Sequence, residues 1–309
     1  MTHVFGPVPS RRLGLSLGID LIPPKTCTFD CLYCQVGRTT DKTVDRRPFV
    51  PVEAIISELE QKLSLCSPDA ITLAGSGEPT LHSEIDRVID AIHERSDTRV
   101  VVLTNGSLFS HEAVRRAVLK ADLILPTLSS AHAATFERIH RPHEAIDHPS
   151  VVNGLIELRR EYAGKIFLET VFLAGMNDTE EEVKALKEVI SKIDPERIQL
   201  NTVVRPPADD RAKSLDRSRL EEIKLYLGTR AEIVADTPLE GVEARVDQKA
   251  RSFLEMVRRR PLRRKDAATS LGIPVDEVEA LVKGFLIKGM VRRKAHAGEI
   301  FYLSNEDGY

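Results

Sequence analysis

Three of the four cysteines lie within eight residues, as Cys27, Cys31 and Cys34. Their spacing is C-x3-C-x2-C, and the segment before them contains Pro23 and Pro24. Three thiolates in one loop can surround a metal centre, and cysteine thiolates are the usual ligands of iron–sulfur clusters. A four-iron cluster with three protein ligands keeps one iron open for a substrate or cofactor. The spacing therefore predicts an iron–sulfur site with an open coordination position.

A zinc ion is the alternative occupant of these thiols. Structural zinc takes four ligands, and His3, His140, His143 or His148 would have to complete a Cys3His set. Because structural zinc more often uses two C-x2-C pairs, or one pair with two histidines, the spacing favours the cluster. Cys66 has no partner at metal-ligand spacing, and we expect an ordinary buried cysteine there.

A second motif follows an apolar run near residue 70 and consists of Gly75, Ser76, Gly77 and Glu78. Glycines at a strand end let a ligand approach the backbone closely. A carboxylate such as that of Glu78 can bind an ammonium group. The motif is compatible either with such a binding site or with a simple glycine-rich turn.

Taken together, these motifs resemble those of the radical S-adenosylmethionine (SAM) enzymes. The cysteine spacing with an aromatic residue before the last cysteine, here Tyr33, is that superfamily's signature, and residues 75–78 are similar to its Gly-Gly-Glu motif. The resemblance implies that Cys27, Cys31 and Cys34 hold a [4Fe–4S] cluster and that Glu78 and the backbone of residues 75–77 hold SAM. It further implies reductive cleavage of SAM to methionine and a 5′-deoxyadenosyl radical, with an external electron donor of flavodoxin or ferredoxin type.

One branch of the superfamily shows a further resemblance. Residues 5–14 (FGPVPSRRLG) and 34–38 (CQVGR) are similar to the wyosine-base synthetases, which rebuild a guanine in transfer RNA using pyruvate. The resemblance covers most of residues 5–235. Those synthetases carry additional N-terminal cysteines for a second cluster, and this chain has none. Its substrate therefore need not be theirs.

The elements that must position these motifs alternate in type between about residues 50 and 235. Short β-branched runs followed by amphipathic stretches are typical of β/α units on a parallel sheet. Strands are predicted at residues 14–21, 70–73, 99–103, 123–125, 165–171 and 197–202. Helices are predicted at residues 52–65, 83–95, 110–119, 150–162, 179–192 and 218–227. Since a closed (β/α)8 barrel takes ~250 residues, we expect an α/β fold, a partial (β/α)6 TIM-type barrel over residues 1–236.

Polar residues at the predicted strand ends are further candidates for cofactor binding. Asn105 follows the third strand, and Thr127 and Ser129 follow the fourth. Barrel active sites collect at such carboxyl ends, although polar residues there are also ordinary caps. Glu169 lies inside the apolar fifth strand, where an unpaired buried acid would be costly. Asn201 on the sixth strand is a candidate for the same reason.

The pattern changes after residue 236. A turn-rich connection is predicted at residues 237–246, followed by helices at 247–259, 262–271 and 275–288 and a hairpin of strands 291–294 and 299–303. Three helices and a hairpin are the layout of a winged helix-turn-helix. We therefore expect a small second domain over residues 247–309.

The formal net charge of −3 conceals an asymmetry. Residues 251–294 carry twelve Lys or Arg against five acids, whereas residues 1–250 carry a net charge of −7. Basic side chains of a winged helix can contact phosphates, or they can simply solvate a protein-docking module. The sequence therefore predicts an RNA or protein substrate docked by this domain.

Composition limits the function classes. With 42% hydrophobic and 29% charged residues the chain is an ordinary globular protein rather than a disordered one. Its apolar runs fall short of the ~20 residues of a membrane helix, and residues 1–12 lack a signal-peptide core. We therefore expect a cytoplasmic enzyme that does not enter a membrane.

Two alternatives remain: a redox-sensing DNA-binding regulator, which has no need of the Glu78 motif, and a radical SAM activase that acts on a protein.

Overall fold

The structure is a computed structural model that describes residues 2–10, 12–234 and 246–305. The predicted connection at residues 237–246 lies outside the described residues, apart from its last residue. The strands are β1 (Val4–Ser10), β2 (Gly14–Ile19), β3 (Thr26–Cys27), β4 (Asp41–Lys42), β5 (Ala70–Leu73), β6 (Val100–Thr104), β7 (Leu123–Pro126), β8 (Lys165–Phe172), β9 (Arg197–Thr202), β10 (Ala231–Ile233), β11 (Leu262–Arg263), β12 (Val291–His296) and β13 (Glu299–Ser304). The helices are α1 (Val52–Leu63), α2 (Ile85–His93), α3 (Glu112–Val118), α4 (Ala133–His140), α5 (His148–Glu161), α6 (Glu180–Ile193), α7 (Arg217–Leu227), α8 (Val246–Arg259), α9 (Arg264–Leu271) and α10 (Val275–Ile287).

One mostly parallel sheet organises the first 234 residues. Its strand order is β1-β2-β5-β6-β7-β8-β9-β10, and all neighbours from β2 to β10 pair in parallel. Strand β1 pairs antiparallel to β2 and forms one edge. Within the described ranges the two edge strands, β1 and β10, do not pair with each other. The fold is therefore an α/β sheet consistent with a partial barrel.

All six predicted parallel strands are present, because each is a short apolar run that can be buried on both faces. Strands β5 (AITL) and β7 (LILP) are buried at every residue. Two strands of this sheet were not predicted: β1, and the short β10, which adds a seventh parallel strand to the six expected. Helix α6 shows how local chemistry sets a boundary, because the side chain of Thr179 caps it by accepting a hydrogen bond from Glu182 N at 3.2 Å.

The described residues after 245 form a second unit. It contains α8, α9 and α10 and a three-stranded antiparallel sheet of order β11-β13-β12. Strand β11 occupies the start of a predicted helix, which begins only at Arg264. Phe253 and Tyr302 of this unit pack in one hydrophobic cluster with Phe5 and Val8 of β1. The unit therefore shares a core with the edge of the main sheet. No helix among the described residues is long and apolar enough to cross a membrane.

Candidate active site

A cavity of about 370 Å³ opens at the carboxyl ends of the parallel strands and brings the predicted motifs together. Cys27, Cys31 and Cys34 all line it. Cys27 lies on β3, and the other two lie in the turns that follow, where Cys34 N donates to Cys31 O at 3.2 Å. One short loop thus presents three thiols to one enclosed space.

A segment at the end of α4 holds this cysteine loop in place. Backbone hydrogen bonds join Asp30 N to His140 O at 3.0 Å and Leu32 N to Ile139 O at 2.9 Å. Arg141, in the left-handed conformation that ends the helix, donates from Nε to Asp30 O at 2.6 Å. Because α4 was not predicted, this support was not expected.

His140 is buried against the cysteine loop, with Nδ1 3.3 Å from Cys31 Sγ and 3.5 Å from the Tyr33 hydroxyl. Burial lowers the pKa of His140 to about 3, with a smaller contribution from His148, so the ring is neutral at physiological pH. A neutral ring with Nδ1 protonated can donate to a thiolate. His140 therefore contacts one of the predicted cluster ligands.

The three thiols fit a cluster better than a single zinc ion. Among the described residues, no group of three or more His, Cys, Asp and Glu side chains is arranged to hold a single metal ion. Zinc would need every sulfur about 2.3 Å from one point, whereas a cluster offers a separate iron to each thiolate. Polar groups also face two of the sulfurs. Asn105 Nδ2 lies 3.6 Å from Cys27 Sγ, and His140 Nδ1 lies 3.3 Å from Cys31 Sγ. Hydrogen bonds to sulfur stabilise thiolate ligands.

The glycine-rich turn after β5 is bound to the same loop. Lys25 N donates to Ser76 O at 2.7 Å, and Glu78 N donates to Thr26 O at 3.2 Å. A Cβ at Gly77 would lie 2.0 Å from Thr26 O, so no other residue fits without moving the backbone. Gly77 is therefore needed for the approach of the turn to the cysteine loop, in addition to the expected access for a ligand.

Glu78 is buried, and its carboxylate accepts hydrogen bonds from neighbouring residues of the protein. Oε1 accepts hydrogen bonds from Thr80 N at 3.0 Å, Thr80 Oγ1 at 2.6 Å and Thr104 Oγ1 at 2.6 Å, while Oε2 accepts from Asn105 N at 2.8 Å. Burial raises the pKa of Glu78, and these hydrogen bonds oppose the shift. Besides the expected role towards an ammonium group, Glu78 joins the ends of β5 and β6 and places Asn105 beside Cys27.

A second group of predicted residues meets around Glu169 on β8. Asn201 Nδ2 donates to Glu169 Oε1 at 3.0 Å, and Thr127 Oγ1 donates to Oε2 at 3.2 Å. Arg12 forms an ion pair with Oε1 at 2.7 Å, with both side chains under 20% exposed. The acid in the apolar strand is therefore paired, as its burial requires. Sequence reasoning missed Arg12 as a site residue, although it lies in the N-terminal stretch that carried the resemblance.

Two predicted residues lie outside the lining of the cavity. Ser129 is buried behind it, where Oγ accepts from Val171 N at 3.1 Å and the carbonyl accepts from Asn177 Nδ2 at 2.6 Å. Ser76 N donates to Asp20 Oδ1 at 2.8 Å, and the Ser76 carbonyl accepts from Lys25 N at 2.7 Å. Neither side chain lines the cavity, and both residues contact neighbours that support it. Cys66 is half-buried and lies elsewhere, with Sγ 3.3 Å from Lys62 O.

Three further arginines line the cavity, and two of them come from the C-terminal unit. Arg205, in the loop after β9, donates from Nη1 to Gln35 Oε1 at 3.2 Å. Arg259 and Arg260 lie at the end of α8. In sequence they belong to the basic region at residues 251–294, for which we expected either phosphate contacts or solvation of a protein-docking module. The structure instead places Arg259 and Arg260 at the cavity.

Comparisons with known proteins identify the superfamily of this chain. The Radical SAM superfamily model matches residues 21–190. The chain is 36% identical to a protein named GTPase Obg from Brachyspira hyodysenteriae, over 98% of the chain but only 45% of that relative's length. It is 31% identical to a UPF0026 protein from Methanocaldococcus jannaschii, over 99% of the chain and 97% of the relative.

Among solved structures, one of TYW1 with a lysine-pyruvate adduct bound superposes with a TM-score of 0.52 at 16% identity. That superposition covers 72% of this chain and 75% of TYW1. At this identity the likeness concerns the fold.

The chain belongs to the radical SAM superfamily, a class of enzymes whose shared cofactors are a [4Fe–4S] cluster and S-adenosylmethionine. Within that superfamily it groups with the UPF0026 proteins.

Proposed function

We propose that this chain cleaves SAM reductively at a [4Fe–4S] cluster and uses the resulting radical to modify a substrate. The observation that carries the proposal is the meeting of three thiols, the glycine-rich turn and the Glu169 group around one cavity. When bound, the reduced cluster supplies the electron that breaks a carbon–sulfur bond of SAM, which yields methionine and a 5′-deoxyadenosyl radical.

The residues divide into those that hold the cluster and those that hold SAM. Cys27, Cys31 and Cys34 are the proposed ligands. Tyr33 supports them, since its ring packs edge-on against the His140 ring with centroids 5.7 Å apart. The proposed SAM-binding residues are Gly75, Ser76, Gly77, Glu78, Asn105, Thr127, Ser129, Glu169 and Asn201, where Ser76, Glu78 and Ser129 act by positioning their neighbours.

The polar residues suit the two ends of SAM. The turn at residues 75–78 lies beside the cysteines and would hold the methionine end through its backbone. Thr127 after β7, Glu169 on β8 and Asn201 on β9 offer both donors and acceptors, as hydroxyl groups of a ribose require. Buried apolar residues such as Leu125 enclose the space between them and exclude water from a radical.

We infer an external one-electron donor of flavodoxin or ferredoxin type, because the described residues contain no second group of cysteines. Proteins of that type are reduced in the cytoplasm, which is the location we propose.

Anaerobic reconstitution with iron and sulfide, followed by reduction in the presence of SAM, tests this function. We expect a brown protein that releases 5′-deoxyadenosine. Cys31→Ala should lose both the cluster and SAM cleavage, whereas Cys66→Ala, which removes a thiol away from the cavity, should keep both. A reconstituted protein that binds only zinc and leaves SAM intact would show that the proposal is wrong.

We further propose the domain division drawn from the sequence: a barrel domain at residues 1–236, a connection at 237–246 and a winged helix-turn-helix at 247–309. The order α8, β11, α9, α10, β12, β13 and the pairing of β11 with β13 support the winged-helix part. Arg292, Arg293 and Lys294 lie on β12, and all three are exposed.

These exposed cations favour RNA over protein as the docked substrate. None of the three forms an ion pair with a described residue, whereas Arg264 pairs with Glu279 in the same unit. Arg292 and Lys294 share a face of the hairpin with His296, whose Nε2 lies 3.5 Å from Val203 O at the cavity. Phosphates bound along this face would lead towards the cavity.

Binding of a labelled 20-nucleotide RNA, measured by anisotropy at two salt concentrations, tests this docking. Arg292→Glu together with Lys294→Glu should weaken binding more than tenfold, because each phosphate contact contributes to the salt-dependent affinity. Arg264→Ala is the control. Equal binding of polyglutamate would instead favour a protein substrate, as in the activase alternative. Tight, sequence-specific DNA binding without SAM turnover would favour the regulator.

A further inference from the structure

We propose that Arg259 of the C-terminal unit positions the SAM-binding turn of the barrel through Asp20, which makes the C-terminal unit part of the SAM site. This inference rests on the proposed function in one respect, namely that residues 75–78 hold SAM. It goes beyond that function because it assigns a role in the reaction to a unit that we otherwise connect only with substrate docking.

The first link joins Asp20 to the glycine-rich turn. Asp20 lies directly after β2, and its Oδ1 accepts a hydrogen bond from Ser76 N at 2.8 Å. The same oxygen would lie 1.6 Å from a Cβ at Gly75, whose φ is +129°. The carboxylate therefore occupies the place of the missing side chain. Its position fixes the backbone of the turn at the two residues that precede Gly77.

The second link joins Asp20 to Arg259. Arg259 Nε lies 2.6 Å from Asp20 Oδ2, and each side chain is only 12% exposed. The remaining guanidinium nitrogens donate to Glu255 O at 2.9 Å and to Thr2 O at 2.7 Å, and Cζ lies 4.2 Å from the centre of the Phe5 ring. Arg259 is thus held by groups of both units, and it holds the carboxylate in one orientation.

Removal of Arg259 would leave a buried carboxylate without its charge partner. Such a group either takes up a proton or turns towards water or another cation, because an uncompensated buried charge is costly. Burial already raises the pKa of Asp20, and Arg259 is the main group that opposes this shift. Either response changes the acceptor that Oδ1 presents to Ser76.

Two neighbouring arginines, Arg263 and Arg264, are paired differently. Arg263 pairs with Asp266 and Glu299, and Arg264 pairs with Glu279, so both are neutralised within the C-terminal unit. Arg259, by contrast, pairs with an acid of the barrel. Any movement of α8 that accompanies substrate docking would consequently act on the turn that holds SAM.

Hydrogen exchange of the cofactor-free protein tests the coupling without any chemistry. We expect Arg259→Ala to accelerate exchange of the Ser76 amide by about tenfold or more, because a fixed acceptor is lost. Arg259→Lys keeps the charge but not the planar fork, and should give a smaller acceleration. Arg264→Ala, an equal change of charge in the same unit, should leave the Ser76 amide as in the unaltered protein.

The affinity of the reconstituted protein for SAM, measured by equilibrium dialysis, tests the consequence. Arg259→Ala should raise the Kd about tenfold, which corresponds to about 1.4 kcal/mol, at unchanged iron content. Because Asp20 and Arg259 act as one unit, the double variant Asp20→Ala, Arg259→Ala should lower the affinity for SAM no more than Asp20→Ala alone.

The outcomes separate the two proposals. Additive losses of affinity, or a lower melting temperature with unchanged Ser76 exchange, would overturn the coupling. Faster Ser76 exchange with unchanged SAM affinity would overturn the assignment of Arg259 to the SAM site. If the unaltered reconstituted protein does not bind SAM, the proposed function fails, whereas the exchange result still reports whether Arg259 controls the turn.

Discussion

The two walls of the cavity are built from different interactions. The cysteine wall consists of Cys27, Gly77, Glu78 and Asn105, and the arginine wall consists of Arg12, Thr127, Glu169 and Asn201. In the cysteine wall, backbone contacts and hydrogen bonds to Glu78 connect neighbouring strand ends. In the arginine wall, one partly exposed ion pair joins the N-terminal segment to β8.

This difference suits two tasks. Short hydrogen bonds among buried groups fix atoms before any ligand arrives, which a cluster site needs. Arg12 and Glu169 are joined by an ion pair between two long side chains that both line the cavity, so a bound ligand can compete for either partner. The cysteine wall is therefore preformed for the cofactor, and the arginine wall is able to adjust to SAM or to a substrate. The predictions below test this contrast.

Gly77→Ala should have the largest effect. The added Cβ would lie 2.0 Å from Thr26 O, so the turn or the cysteine loop must move. Overpacking against backbone costs about 3 kcal/mol. We expect a marked loss of stability to urea in the cofactor-free protein and a reduced iron content after reconstitution.

Gly284→Ala is the matched control for that change. Gly284 lies inside α10, and nothing lies within 4 Å of the Cβ position. Alanine should therefore stabilise the helix by about 0.5–1 kcal/mol. If Gly77→Ala were as stable and as rich in iron as this control, the cysteine wall would not be preformed as described.

Glu78→Gln and Glu169→Gln compare the two walls directly with one chemical change. At Glu78 the amide NH2 would face donors on Thr80, Thr104 or Asn105, which leaves buried donors without an acceptor and costs about 2 kcal/mol. Glu169→Gln should cost less, because that side chain is 14% exposed and water can replace a lost partner. Urea unfolding at pH 7.5 measures both. Equal losses would remove the distinction between the walls.

Arg12→Ala should affect ligand binding more than stability. Loss of the ion pair should cost about 2 kcal/mol, because Glu169 retains its hydrogen bonds from Asn201 and Thr127, and the cysteine ligands are untouched. We expect normal iron content together with a raised KM for SAM. Arg217→Ala, which removes an exposed ion pair with Glu221 on α7, is the control and should change neither quantity. Loss of iron in Arg12→Ala would show that the arginine wall also holds the cluster.

Much of the fold could be predicted from the sequence, because parallel strands are continuous apolar runs and their helices are amphipathic. The strands missed were those with weak local signals. Strand β1 contains two prolines and a glycine, and β10 has three residues, so tertiary pairing rather than propensity decides their state. The start of the predicted helix at residue 262 was wrong for a similar reason, because β11 exists through its pairing with β13.

The candidate site was predicted where its residues cluster in sequence or lie on or directly after a predicted strand. Cys27, Cys31 and Cys34 are neighbours along the chain, and so are the residues of the glycine-rich turn. His140 contacts Cys31 although it lies 109 residues further along the chain. Arg259 pairs with Asp20 across a separation of 239 residues. No local pattern marks such long-range contacts, and a histidine at a helix end or an arginine in a basic run has more common explanations.

The smallest expected effect is a pH dependence of stability that comes from the cysteine-wall side. His82 follows the short helical turn that begins after Glu78, and it is buried with Nε2 2.9 Å from Val50 O. Burial lowers the pKa of His82 below its ordinary value. The contribution of the neutral His82 ring to the free energy of unfolding is therefore fully present above about pH 6.5. It is lost as the pH falls below that value, because only the unfolded chain takes up the proton.

Between pH 7.5 and pH 6.0 this loss amounts to at most about 0.8 kcal/mol. Urea unfolding of the cofactor-free protein at the two pH values measures this loss. The free energy of unfolding should depend more steeply on pH in the unaltered protein than in His82→Gln. His111→Gln, a change at an exposed histidine, should keep the steeper dependence. Identical slopes in all three proteins would mean that His82 takes up its proton without unfolding. The support behind the cysteine wall would then be more adjustable than its buried hydrogen bonds indicate.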